Sequence, residues 1–163
     1  MKRADILNRA KKAAATSVAK YKLGAGGFNP AADLPESKQG MCDCSGFVSW
    51  CLNEKRQTSN KFLVSLNGGW IETTAVVRDA KSPDGMFTKV DVPQAGDLLV
   101  WGDNKGKQGH IGVVSEVVDG KATKVIHCST GNFKRTGKAI QETSADIFYN
   151  NGAISVKFDK IEG

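Results

Sequence analysis

The order in which two kinds of apolar spacing occur along the chain does most to narrow its fold. Before Pro93 the apolar residues fall at helical intervals. After it they fall in short β-rich runs separated by Gly, Asp and Lys: Asp97 to Trp101, His110 to Val118, Thr123 to Cys128 and Ala153 to Phe158. Doubly wound folds need strands and helices to alternate, and this chain places its helices first and its strands after. The expected class is α+β, with N-terminal helices packed on one face of a C-terminal antiparallel sheet. A length of 163 residues with 40% hydrophobic content suits a single domain over residues 1–163, with one core and a monomeric state.

Within the helical half, Ile6, Leu7, Ala10, Ala14, Val18 and Tyr21 predict an amphipathic helix from Arg3 to Lys22, stopped by Gly24 to Gly27. A loop with Pro30 and Pro35 but no periodicity leads to Met41. From Cys44, the apolar residues Phe47, Val48, Cys51 and Leu52 mark one buried helical face that begins at Cys44 itself, with Asp43 at the N-cap. A weaker helical segment runs from Glu72 to Ala80, before the turn Ser82-Pro83-Asp84-Gly85.

The net charge of +6 would favour anionic partners, but the Lys and Arg residues are scattered and no basic run is interleaved with aromatics, so nucleic acid is not the expected partner. No run approaches the ~20 apolar residues of a membrane span, and the first residues do not read as a signal peptide. Four cysteines are too few for a disulfide scaffold in a chain of this length, and Cys42 and Cys44 are badly placed to bond each other; reduced thiols are expected.

A thiol in the first turn of a helix faces unpaired backbone N–H groups and the positive end of the macrodipole, which favours thiolate. Cys44 is therefore the candidate nucleophile, and the same N–H groups suit an oxyanion. The competing reading of Cys44 is a small buried apolar residue, which its polar neighbours Asp43 and Ser45 disfavour. Cys51 and Cys128 suit the core. Cys42 reads as part of the loop, with a redox partner for Cys44 as the other option. The chain has two histidines, His110 and His127, each in a β-rich run. Either alone suits a structural role; adjacent strands would let His127 orient His110 as a general acid and base beside the thiol. Gly109 and Gly112 leave space around His110, or serve a turn or bulge.

The segment Asp43-Cys44-Ser45-Gly46-Phe47-Val48 resembles the nucleophile motif of NlpC-type cell-wall cysteine peptidases, a papain-like group related to the CHAP amidases. Pro93 to Trp101, Gly109 to Val114 and Val125 to His127 resemble that family's strand entry, its histidine strand and the strand of its third polar residue. Tyr21-Lys22-Leu23-Gly24 is similar to the pattern that precedes the cysteine.

The resemblance implies a papain-like fold and hydrolysis of an amide in peptidoglycan stem peptides, commonly between γ-D-glutamate and the diamino acid, through a thioester. It also implies substrate or oxyanion contact at Tyr21, with Asp43, Ser45 and Gly109 beside the substrate, no cofactor or metal, and action at the bacterial cell wall. A papain-like acyltransferase or amidase with a non-wall substrate is the alternative. A zinc site built from Cys42, Cys44, Cys128 and the histidines has poor ligand spacing.

Overall fold

The computed structural model describes residues 1–161. Helix α1, Arg3–Thr16, buries Ile6, Ala10 and Ala13, and Arg9 on its flank lies 4.0 Å over the Trp50 ring. The helix ends six residues short of the expected boundary: Ser17 caps it through its N–H to Ala13, Val18 is exposed, and Lys20–Tyr21 forms a short strand, β1. β1 pairs in parallel with β2, Met41–Cys42, and Ala19 also accepts the Ala139 N–H. Thr16, Ser17 and Val18 are weak helix formers, and these tertiary hydrogen bonds decide the conformation.

Helix α2, Cys44–Cys51, is buried on every side and not along one face as its apolar spacing suggests. Its hydroxyls are satisfied internally; the Ser49 Oγ donates to the Ser45 carbonyl at 2.7 Å. Two further helices, α3 (Lys61–Asn67) and α4 (Thr73–Ala80), carry side-chain N-caps from Asn60 and Glu72. α4 is the segment expected from sequence, and α3 was not.

The rest of the described chain forms strands β3 (Phe87–Val90), β4 (Leu98–Trp101), β5 (His110–Val118), β6 (Lys121–Cys128), β7 (Ile140–Ser144) and β8 (Ile154–Phe158), with two short helices, α5 (Thr130–Thr136) and α6 (Asp146–Asn150). The strands make one six-stranded sheet in the order β3-β8-β4-β5-β6-β7, antiparallel at every pairing. The expected α+β class holds. β3, β7 and the two short helices are additions to the sequence reading.

The two faces of the sheet have different roles. Leu98, Val100, Ile111, Val113, Ile126 and Val156 point to α1, α2 and α4 and form the main core. Leu99, Val114, Val125 and Phe148 form a smaller cluster on the opposite face, with Trp101 packed against it. A two-residue turn joins β5 to β6, with Asp119 and Gly120 at φ 52° and 77°. Such a turn suits the twist of paired strands and fixes their register, and therefore which residues of β5 and β6 share a face.

Candidate active site

Asp43 is extended at the N-cap of α2, and its Oδ1 accepts the Gly46 N–H at 2.8 Å, which places Cys44 in the first turn. The other carboxylate oxygen accepts from Gly24 N–H at 2.7 Å and from Arg56 Nη2 at 3.0 Å. Arg56 is only 4% exposed. It also donates to the carbonyls of Ala25 and Gly26 and to Ser45 Oγ, and its guanidinium carbon lies 5.5 Å from the Phe28 ring centroid and 5.7 Å from that of Trp70. One buried cation thus ties the glycine loop to the start of α2. The contact is so close that a Cβ on Gly46 would lie 2.7 Å from the carbonyls of Ala25 and Gly26.

The Cys44 thiol is nearly buried and faces the backbone N–H groups of Ile111 and Ser45. Burial, followed by the Asp43 charge, pushes its pKa up to about 12, against the opposing pull of those N–H groups and Arg56. Desolvation and a neighbouring carboxylate thus oppose the pull of the helix terminus expected for this thiol. Tyr21 shares a cavity of about 210 Å³ with Cys44. Its phenol is shifted well upward by burial and then by Cys44.

His110 opens β5, and His127 lies next to the last residue of β6. Both lie on the sheet face opposite α2, as the pairing of Trp101 with His110 and of Leu99 with Gly112 shows. Gly112 sits across from His127, where a Cβ would come within 3.0 Å of the His127 Cβ, so the missing side chain lets the two strands bring the imidazoles together diagonally. His110 Nε2 and His127 Nδ1 are 2.7 Å apart, and His127 Nε2 is 2.7 Å from Thr143 Oγ1 on β7.

The tautomers that leave His110 able to act as a base are those in which the last partner in this row accepts. The Thr143 hydroxyl then donates to the Ser144 carbonyl at 3.2 Å and accepts from His127 Nε2–H. His127 Nδ1 then accepts from His110 Nε2–H, and His110 Nδ1 is left with a free lone pair. Phe148 and Trp101 pack against the imidazoles, with Phe148 5.3 Å from each ring centroid. Burial lowers the His110 pKa to about 4, opposed by Asp43. Burial, then His110 and Arg135, lowers that of His127 to about 3.

A larger cavity of about 450 Å³ holds the two imidazoles and adjoins the Cys44 cavity, with Tyr21, Gln108 and Gly109 lining both. The thiol and the imidazoles thus reach one cleft from opposite faces of the sheet, around the first residues of β5. Of the residues expected to contact substrate, Tyr21 and Gly109 line both cavities. Asp43 and Ser45 lie in the wall beside Cys44, with the Asp43 carboxylate bonded to Gly24, Gly46 and Arg56 and the Ser45 hydroxyl to Arg56. Gly109 donates its N–H to Asp103 Oδ1 at 2.6 Å and packs too tightly on Trp101 and Thr73 for a Cβ. Arg56 and Thr143 were not anticipated. Arg56 sits in Glu54-Lys55-Arg56-Gln57, which reads as a solvated charge run, and Thr143 in a polar segment without a strong pattern.

Residues 36–132 match the CHAP domain. The chain belongs to the CHAP domain family. CHAP domains are papain-like cell-wall amidases and peptidases, so this CHAP domain is a hydrolase of that class directed at peptidoglycan. The matched stretch contains Cys44, Arg56, His110 and His127, while Tyr21, Arg135 and Thr143 lie outside it. No curated protein matches the chain. Among the described residues, no helix is long and apolar enough to cross a membrane and no cluster of His, Cys, Asp and Glu is arranged to hold a metal.

Proposed function

We propose that the chain is a cysteine endopeptidase that cleaves the amide between the γ-carbonyl of D-glutamate and the diamino acid of peptidoglycan stem peptides. The observation that carries the enzymatic reading is the His110–His127–Thr143 row in a cavity that shares Tyr21, Gln108 and Gly109 with the cavity of a thiol in the first turn of a helix. The choice of bond rests on the likeness of Asp43 to Val48 and Gly109 to Val114 to the NlpC-type peptidases.

In this mechanism the Cys44 thiol gives its proton to His110 Nδ1 as the sulfur attacks the amide carbon. The Cys44 N–H, which has no intrahelical acceptor in the first turn, holds the oxyanion, with the Tyr21 hydroxyl close by. The His110 imidazolium is stabilised because its Nε2–H already points at the His127 Nδ1 lone pair. It then protonates the leaving nitrogen, and the C–N bond breaks to leave a thioester. A water deprotonated by His110 Nδ1 hydrolyses the thioester and restores the thiol.

Digestion of defined muropeptides, with products identified by mass spectrometry, tests the reading. The wild-type protein should release fragments with new γ-D-glutamyl carboxylates and diamino acid amines. Cys44→Ala should remain folded and release none. Turnover by purified Cys44→Ala at the wild-type rate would rule out the thiol mechanism, and cleavage at another amide would correct the bond.

A further inference from the structure

The larger cavity continues past the imidazoles to α5, where it is lined by Ser129, Gly131 and Arg135. If His110 protonates the leaving nitrogen, the amine-bearing part of the substrate must lie over that imidazole and extend into this cavity. Its lining holds one permanent charge, that of Arg135, because both histidines are neutral near pH 7.

The Arg135 guanidinium is held in place. Its Nη2 donates to Asn132 Oδ1 at 2.8 Å. Asn132 is fully buried and fixed at its other end, where Nδ2 donates to the carbonyls of His127 at 3.0 Å and Ala139 at 3.1 Å. Gly131 lets the guanidinium fold back across the first turn of α5, since Nη1 would lie 3.2 Å from a Cβ at that position. The strand that carries His127 therefore also sets, through Asn132, where this cation sits. Among the described residues Arg135 has no carboxylate partner, whereas Arg3 and Arg56 are paired with Asp97 and Asp43. A planar cation fixed by one nitrogen, with donors left over, is suited to a bidentate carboxylate and loses little entropy in binding it.

We propose that Arg135 recognises a carboxylate on the leaving-amine side of the scissile bond, so that preferred substrates carry a free carboxylate on the residue whose nitrogen is released. This rests on the hydrolase reading above for the direction in which substrate lies.

The test uses two peptides that share a γ-D-glutamyl acyl part and an internal diamino acid leaving residue, one with a free carboxylate at the end of that residue's side chain and one with a carboxamide there. Their kcat/KM values are compared for the wild-type protein, Arg135→Gln and Arg135→Lys, and binding of both peptides to Cys44→Ala, with and without Arg135→Gln, is measured by calorimetry. The wild type should favour the carboxylate peptide by about tenfold or more, as loss of a charge-assisted pair implies. Arg135→Gln should bring the ratio to about one, and Arg135→Lys should keep part of it. A ratio near one in the wild type, or one that survives Arg135→Gln, overturns the assignment while cleavage itself upholds the hydrolase. An Arg135-dependent binding preference without cleavage by the wild type would uphold the carboxylate site and overturn the choice of scissile bond instead.

Discussion

Cys44 is subject to opposing influences. Helix position, the N–H groups of Ile111 and Ser45, and Arg56 favour its thiolate; burial and the Asp43 carboxylate oppose it and prevail, leaving the pKa at about 12. Burial also lowers His110 to about 4, so desolvation favours a resting thiol and neutral imidazole over an ion pair, with the proton moving when substrate arrives. The rate of Cys44 alkylation by iodoacetamide should therefore rise about tenfold per pH unit from about pH 6 to about pH 9, because only the thiolate reacts. Cys44→Ala supplies the background from the buried Cys42, Cys51 and Cys128. A plateau of rate across that range would show a preformed thiolate–imidazolium pair. Arg56 has a different role at the same scale. Arg56→Met should lower stability in chemical denaturation by about 3–5 kcal/mol, since it leaves the Asp43 carboxylate buried without its cation. Adding Asp43→Asn should recover part of that loss, and no recovery would mean that the carbonyl contacts of Arg56, not its charge, carry its effect.

At the scale of elements, three neighbouring strands each contribute one residue to a diagonal row: His110 from β5, His127 from β6 and Thr143 from β7. Thr143→Val removes the acceptor of His127 Nε2–H while nearly preserving shape. It should lower kcat by about tenfold or more, the usual scale of a positioning contact to a catalytic base, with KM little changed, and Thr143→Ser should restore most of the rate. An unaltered kcat would free His127 of any need for a third partner. Cys44 and its N-cap were legible in sequence because both signals are local: a polar residue before a run of apolar residues at helical spacing. The histidine strands were legible through their β-rich texture. Thr143 was not, because its importance comes from pairing β7 with β6, a long-range register that no window of sequence displays. The end of α1 was misread for the same reason, since Val18 and Tyr21 continue its spacing but Lys20 and Tyr21 bond to β2.

Over the whole molecule, the site is set into the fold at a cost that depends on pH. Folding places both imidazoles in surroundings that disfavour their charged forms, lowering their pKa values from 6.5 to about 4 and about 3. The unfolded chain therefore takes up protons below about pH 6.5 that the folded chain refuses, and stability falls with them. The contribution is complete above the unfolded value and is lost as pH drops toward the folded values. His110 alone corresponds to about 3 kcal/mol over that interval. Urea midpoints should accordingly fall between about pH 7 and about pH 4.5, before most carboxylates titrate. In His127→Gln, whose side chain stays neutral at every pH and offers His110 an amide oxygen, the slope should be clearly shallower. An equal slope in that variant would place the acid sensitivity elsewhere. A shallower slope accompanied by lost activity would show that the buried imidazole pair which makes the site chemically competent is also what the fold gives up first in acid.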